Sequence, residues 1–467
     1  AFVYISYNEW MKNDSLLAIS PLDGRYNHIN NELRHITSEY GLIKNRLFIE
    51  IEWFKHLANT PKIRELPKLS IKNTRYLDDL VINFSLNDAK RVKSIEKRTN
   101  HDVKAIEYFL KDKFSVIKSL NKYSEFVHFA CTSEDINNLS YSLMIKDASN
   151  LVSSNVDGLL KNLKSKAKMY ANIAMLSRTH GQTASPTTMG KEFANFIYRI
   201  NVINKSLNKT PLNGKINGAV GNFNAHTVAY PEVNWELISK KFVNKLGLQL
   251  NTHTTQVEPK DSIAELFLHY VRLNNVLIDL SRDIWGYISL SYFKQKLKKG
   301  EIGSSTMPHK VNPIDFENAE GNLGIANSNF LHLSNSIVIS RWQRDLTDST
   351  VMRNIGLCFG HTNLALSSLM KGLNKLELNK NQIESDLNNS WEVLTEAIQT
   401  IFRKYLVKDG YEIMKELSRG KKIVKEDLHI LIDKIDIPLE DKEMLKSLTP
   451  SSYTGIAKVL AKRLKES

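Results

Sequence analysis

Two long stretches of this chain contain no proline: none falls between Pro67 and Pro186, and none between Pro313 and Pro438. Proline fixes φ and removes a backbone donor, so spans of more than a hundred residues without it leave long helices free to form. Within the first span glycine occurs only at Gly158 and Gly181, too few for the turns of a many-stranded sheet, and β alternation is hard to find. From Asp261 to Leu297 the residues Ile263, Leu266, Phe267, Tyr270, Leu273, Leu277, Leu280 and Ile284 recur at steps of three and four. That spacing predicts one helix of roughly 35 residues, about 50 Å long at ~1.5 Å per residue, and so a bundle of extended helices. Val271, Val276, Ile278, Trp285 and Ile288 fall off the stripe, as expected for burial on more than one side, inside a large bundle or an oligomer interface.

The expected fold class is therefore all-α, with a long central helical bundle flanked by smaller helical domains. At 467 residues the chain exceeds the size of a single hydrophobic core. No linker or repeat marks boundaries, and composition suggests residues 1–120, 121–365 and 366–467 as N-terminal, central and C-terminal helical domains. With 42% hydrophobic and 24% charged residues the chain reads as folded throughout. Cys131 and Cys358 are too few and too far apart for a disulfide framework or a zinc pattern, which fits a reducing, cytoplasmic compartment. No run of 18 apolar residues occurs, and AFVYISYNEW before Met11 lacks the features of a signal peptide, so no membrane partner is expected. The net charge of +14 favours anionic partners, either nucleic acid or phosphorylated and carboxylated small molecules. Stretches such as KNLKSKAK (Lys161 to Lys168) fit a solvated helix face better than a binding patch.

Six polar islands interrupt this helical background: DGRY at Asp23, TNHD at Thr99, TSEDINN at Thr132, SRTHGQ at Ser177, GSSTMPHKVNP at Gly303 and RWQRDLTDSTVMR at Arg341. In GSSTMPHKVNP, Pro308 and Pro313 hold the backbone out of helix, while Lys310 and Asn312 offer a cation and an amide that could bind a carboxylate. The same composition also suits a plain connection between helices. His180 in SRTHGQ is expected in a loop before a helix opening at Pro186, where it is either a proton donor or simply exposed. Asn100, His101 and Asp102 open a helix continued by Val103, Ile106 and Leu110, with Asn or Asp as its N-cap or the helix N-terminus as a phosphate site. GKINGAVGN (Gly214 to Asn222) lacks dinucleotide spacing and is expected to be a tight turn. The thirteen histidines contain no HExxH and no Cys/His cluster, so neither a metal nor another cofactor is expected.

Taken together, the islands resemble the fumarase/aspartase superfamily of helical lyases, whose GSSxMPxKxNP signature runs from Gly303 to Pro313. PLDGRY, TNHDVKAIEYFL, HFACTSEDINNLS, LSRTHGQ, KINGAVGN, TTQVEP and RWQRDLTDSTVMRN resemble the member that releases fumarate from succinylated amino-purine nucleotides, and the likeness runs from about residue 16 to the C-terminus. The resemblance implies a homotetramer whose active sites are shared between subunits. It implies Ser304 as general base, His180 as general acid and Glu317 holding His180 in its working tautomer. His101 with Asp102 would meet the phosphate or orient the substrate, and Lys310, Asn312, Thr132, Ser133 and Gln256 would grip the succinyl group. Arg25, Tyr26, Arg344, Ser349 and Arg353 would hold phosphate and ribose, with Asn100, Thr179, Ser305, Met307, Asn318 and Thr350 also in contact with substrate. Argininosuccinate lyase and fumarase use the same loop and remain alternatives. A reading of a different class is a basic helical scaffold that binds RNA, which predicts salt-sensitive nucleic-acid binding rather than elimination.

Overall fold

In a computed structural model, residues 15–296, 307, 310–418 and 422–464 are described. The chain forms two compact units. The first comprises residues up to 155 with 203–275 and 321–367; the second comprises 156–202, 276–320 and the residues from 368 onward.

Along the chain, α1 (Glu39–Ala58) starts at Ser38, whose side chain accepts the Gly41 N–H, and buries Leu42, Leu47, Ile51 and Phe54. A capping box between Ser85 and Asp88 opens α2 (Leu86–Thr99), which stops where Asn100 turns left-handed at φ 51°. Next comes α3 (Asp102–Ser115). The first proline-free span yields α4 (Ser133–Met169), a helix of 37 residues. Strands β1 (Ala174–Thr179) and β2 (Gln182–Thr188) then form an antiparallel hairpin. It leads into α5 (Met189–Lys209), which meets α4 so closely that a Cβ on Gly190 would lie 2.4 Å from the Ala167 carbonyl. Strand β3 (Asn213–Gly214) pairs in parallel with β4 (Gln249–Leu250), and α6 (Asp261–Ser289) follows. Beyond β5 (Phe293–Gln295) lie α7 (Ile314–Ser336), α8 (Thr347–Met352), α9 (Ile355–Lys375) and β6 (Leu376–Leu378), the antiparallel partner of β5. Short helices fill the chain from Lys380 to Lys462.

Helices thus carry the fold, as the proline pattern predicts, and the strands described are short two-stranded pieces. In the first unit the helices interlock through aromatic rings. Tyr270 of α6 stacks on Phe330 of α7 at 5.2 Å, and Phe359 of α9 meets Phe330 edge-on at 5.5 Å. Such pairs add roughly 0.5–1.5 kcal/mol each beyond burial. In the second unit Tyr170, Phe193 and Phe293 form the equivalent knot at 6.1–6.3 Å. No described helix is long and apolar enough to cross a membrane.

Two expectations need correction. The helix predicted from Asp261 to Leu297 ends at Ser289 after 29 residues. Ser291 takes a left-handed φ of 59°, the Tyr292 N–H turns back to the Tyr287 carbonyl, and Tyr292 is buried just ahead of β5 with Phe293 buried as its first residue. Apolar spacing alone does not register such a reversal, because the strand residues are as apolar as a helix turn would be. The helix predicted to open at Pro186 opens instead at Met189. Pro186 lies in β2 opposite Leu176, beside a register shift; a two-stranded sheet has only edges, where proline is tolerated.

Candidate functional site

In the first unit, three polar islands converge through charged side chains. Left-handed Asn100 separates α2 from α3, and His101 becomes the N-cap of α3: its Nδ1 accepts the Lys104 N–H at 3.1 Å. A neutral ring held this way carries its proton on Nε2, which makes the half-exposed His101 a hydrogen-bond donor to whatever lies before the helix. The cap is therefore the histidine itself rather than Asn100 or Asp102. Asp102 instead receives two arginines, Arg46 of α1 at 2.7 Å and Arg353 at 3.2 Å. Burial pushes the Asp102 carboxyl up, but Arg46, the Val103 N–H and Arg353 outweigh it and hold it below the ordinary carboxylate range.

The chain of contacts continues. Arg46 Nε donates to Asn137 Oδ1 at 2.8 Å, the Asn137 amide donates to Glu134 at 3.0 Å, and Glu134 pairs with Arg344 at 3.1 Å. Arg344 donates in turn to the Ser349 hydroxyl at 3.0 Å. Arg353 also reaches Glu39 at 3.0 Å. TNHD, TSEDINN and RWQRDLTDSTVMR are thereby one connected network, in which Arg46 is buried, Arg344 partly exposed and Arg353 half-exposed, and the guanidinium forks of the latter two suit phosphate or carboxylate. Asp348 anchors this last island through a buried pair with Lys260, 2.7 Å long. Thr255 Oγ1 donates to the Gln343 carbonyl at 2.8 Å, and Gln256 Nε2 reaches Thr132 Oγ1 at 3.4 Å, which brings TTQVEP alongside. Ser133 opens α4 beside Thr132. Thr350 is exposed on α8 and its carbonyl accepts from Asn354. Arg25 is exposed, its guanidinium 5.7 Å from the Tyr26 ring centre.

GKINGAVGN is more than the expected turn. Gly214 belongs to β3, Gly218 and Gly221 take φ of 86° and 83°, and the Asn217 and Gly218 N–H groups are gathered by the Asp135 carboxylate.

The second unit presents a different set. His180 and Gly181 are the two residues of the β1–β2 turn, at φ 52° and 74°, between paired Thr179 and Gln182. Positive φ at both positions is the geometry that matches the right-handed strand twist. Thr179 and His180 stand exposed at the tip, so the histidine sits in a hairpin and not in a loop between helices. Asp386 holds the hairpin's flank, receiving Arg178 at 3.4 Å and the Tyr292 hydroxyl at 2.9 Å. Lys310 is exposed and its N–H donates to the Met307 carbonyl at 3.0 Å; Asn312 is half-buried just before α7. Glu317 in the first turn of α7 accepts the Trp285 indole N–H at 3.1 Å, and among the described residues no hydrogen bond joins it to His180. Asn318 accepts from Ser368 at 2.8 Å. Ser304 and Ser305 lie outside the described residues. No group of three or more described His, Cys, Asp or Glu residues is placed to hold a metal ion.

Sequence reading missed Arg46, Glu134, Asp135, Lys215 and Lys260, the buried charges that position the islands. Within apolar helices and glycine-rich loops, a single charged residue is indistinguishable from a solvated one until its burial is known. The available signal was proximity to an island: Glu134 and Asp135 stand inside TSEDINN, and Lys215 and Lys260 flank GAVGN and TTQVEP.

The chain matches the family profile described as "Lyase" over residues 24–326 and that described as "Adenylosuccinate lyase C-terminal" over residues 340–454. It is 52% identical over 456 residues to the adenylosuccinate lyase of Buchnera aphidicola subsp. Schizaphis graminum, covering 97% of this chain and 100% of that one. The identity to the adenylosuccinate lyase of Escherichia coli K12 is also 52%, with the same coverage of 97% and 100%. Its fold is similar to that of a fumarate lyase from Mesorhizobium sp. BNC1, with a TM-score of 0.75 over 93% of this chain and 97% of that one at 16% identity. The converging islands, the helical fold and the matches along nearly the whole chain agree: this chain belongs to the adenylosuccinate lyase family, within the fumarase/aspartase superfamily.

Proposed function

We propose that the chain is an adenylosuccinate lyase, which eliminates fumarate from adenylosuccinate to leave AMP and from SAICAR to leave AICAR. The observation that carries the reading is the half-identity to curated adenylosuccinate lyases along almost the entire chain. The part-exposed guanidinium groups of Arg344 and Arg353 in the first unit support it, because the substrates are phosphorylated and carboxylated.

In the reaction a base removes a proton from the succinyl carbon β to the departing nitrogen, and the electron pair spreads onto the adjacent carboxylate. The C–N bond then breaks, fumarate forms, and an acid returns a proton to the departing nitrogen. Ser304 is the base in this reading and His180 the acid, with Glu317 orienting the imidazole. Lys310, Asn312, Thr132, Ser133 and Gln256 meet the charge on the succinyl carboxylates, where each preorganised donor contributes on the order of 3–4 kcal/mol to the transition state. Arg344, Ser349, Arg353, Arg25 and Tyr26 hold phosphate and ribose, with His101, through Nε2–H, and Asp102 beside them. Asn100, Thr179, Ser305, Met307, Asn318 and Thr350 complete the contact surface.

The reading includes a homotetramer in which one site draws on several subunits. Glu317 turned toward Trp285 rather than His180, and exposed Trp285 and Ile325 on the long helices, support that arrangement. It also includes a cytoplasmic location, in keeping with the free thiols of Cys131 and Cys358.

The test follows fumarate release from adenylosuccinate and from argininosuccinate, with Ser304→Ala alongside the wild type. Release from argininosuccinate alone would remove the purine substrate, and full turnover by Ser304→Ala would remove the proposed base. Mixing inactive Ser304→Ala and His180→Ala proteins should restore part of the activity if a site is shared; none after proven subunit exchange would count against sharing.

A further inference from the structure

Beneath the residues proposed to grip the succinyl group lies an ion pair with no exposure to solvent. Lys215 Nζ stands 2.9 Å from Asp135 Oδ1, and both side chains are 0% exposed. All three ammonium protons have an acceptor, since Nζ also donates to the Gly218 carbonyl at 3.0 Å and the Gln256 carbonyl at 2.9 Å. The carboxylate is equally committed: Oδ2 accepts the Thr132 N–H at 2.8 Å and the Gly218 N–H at 3.1 Å, and Oδ1 accepts the Asn217 N–H at 3.1 Å. The Asn138 amide clamps the backbone of Lys215 from the other side, accepting its N–H at 2.8 Å and donating to its carbonyl at 3.0 Å. Three segments far apart in sequence, at 132–135, 215–218 and 254–256, therefore meet at one buried charge pair.

We propose that Lys215 and Asp135 are positioning residues for the elimination, fixing Thr132 and Gln256 in the register that receives the succinyl carboxylates. The inference rests on the reading of Thr132, Ser133 and Gln256 as the succinyl grip. Stability alone does not account for the pair. Removing two charges from water costs enough that an apolar replacement of similar size is often neutral or better for the fold. What an apolar pair could not do is bind the main chain of three segments at once. A carboxylate accepting several backbone N–H groups, joined to an ammonium donating to two carbonyls, defines the position of each loop by directional bonds. Thr132 is reached by its own N–H and Gln256 by its own carbonyl, so the pair acts one bond away from groups that would touch substrate.

The test separates the two ends of the substrate by product inhibition: fumarate probes the succinyl subsite and AMP probes the nucleotide subsite. With the wild type and Lys215→Met, the inhibition constant for fumarate is expected to rise roughly 10- to 100-fold, the range in which ångström-scale misplacement acts. The AMP constant is expected to stay within about twofold, and kcat to fall with KM for adenylosuccinate raised. The thermal midpoint falls in either case, since buried Asp135 loses its cation; a merely structural role moves both inhibition constants together, and that outcome overturns the proposal, as does no change in either constant. Should Lys215→Met fail to fold, Gly218→Ala decides by the same two constants. An alanine there is strained at φ 86°, a conformation that L side chains rarely adopt, and that strain draws the Gly218 N–H and carbonyl away from Asp135 and Lys215 while both charges stay present. A wild type that leaves adenylosuccinate intact overturns the underlying reading and this inference with it. An active wild type with an unaffected fumarate constant in the variant overturns the inference alone.

Discussion

The two units treat their polar residues in opposite ways. In the first, several residues proposed to meet phosphate are bound to the rest of the chain before any substrate arrives, Asp102 to Arg46 and Arg353 and Arg344 to Glu134 and Ser349, and the Asp348–Lys260 pair anchors the same island. In the second, Thr179 and His180 stand exposed at the tip of the β1–β2 hairpin. A group that must hold a ligand in one place gains from being immobilised in advance, because the entropy of ordering it is lost during folding rather than binding. A group that must pass a proton needs access to the reacting atom above all. Substitutions among the tied residues of the first unit should therefore be felt in stability and in binding, and substitution of His180 in turnover.

The largest effect expected from breaking that contrast is at His180. His180→Ala should lower kcat by roughly 10²- to 10⁴-fold, the usual contribution of a positioned acid. Because the side chain is exposed at the hairpin tip, the thermal midpoint should stay within about a degree of the wild type, as for surface substitutions worth under ~0.5 kcal/mol. A large fall in melting temperature would show that the turn serves folding instead.

Next in size is Lys260→Met. It leaves Asp348, 7% exposed at its side chain, as a buried carboxylate without its cation, which typically costs about 3–5 kcal/mol. Denaturant midpoints should drop accordingly. A double variant, Lys260→Met with Asp348→Leu, should recover most of the loss in stability while substrate binding stays impaired, since RWQRDLTDSTVMR would be anchored differently. Recovery of both would mean that the ion pair matters only for the fold.

A milder perturbation is pH, through two histidines of the first unit shifted in opposite directions. Burial pushes His128 down, but Glu50, 2.6 Å away, outweighs it and raises the histidine above its ordinary 6.5. The stabilisation from that pair is complete below pH 6.5 and fades as pH rises through the raised value. His226 is enclosed by Trp235 and Phe223, and burial lowers it to about 4. Its neutral form stabilises the fold fully above pH 6.5, and that contribution is lost as pH falls toward about 4. Melting temperature against pH should lose its acid shoulder in His226→Leu and its alkaline shoulder in His128→Asn. An unchanged curve in either would remove that histidine from the account.

The helical class was legible because proline and glycine act locally: their absence over long spans permits helices whatever the tertiary context. The hairpin carrying His180 was not legible. Its strands, AMLSRT and QTASPTT, show little alternation, and its turn uses His-Gly where Asn-Gly would have announced it. The individual site residues were legible chiefly through family likeness. The residues that hold them in place were hidden for a physical reason: Arg46 in EYGLIKNRLFIEIEW looks like any helix-surface cation, and only the fold shows it to be 2% exposed.

The smallest expected effects come from two glycines of opposite character, and they probe the contrast at the level of the backbone. Gly158 lies exposed within α4, with open space where a Cβ would go, so Gly158→Ala should stabilise by about 0.5–1 kcal/mol through helix propensity alone. Gly181 also has open space around its Cβ position, but its φ of 74° is a conformation that L side chains rarely adopt. Gly181→Ala should therefore cost on the order of 1 kcal/mol with no new clash to blame. Relief of that strain would reshape the turn and tilt His180, so the variant should lose turnover while keeping its affinity for AMP. Opposite signs in the two melting shifts, with kcat altered only in Gly181→Ala, would mean that the turn's left-handed backbone itself aims the proton donor. Equal kcat in both would detach the turn's conformation from catalysis and leave the exposure of His180 as its only relevant property.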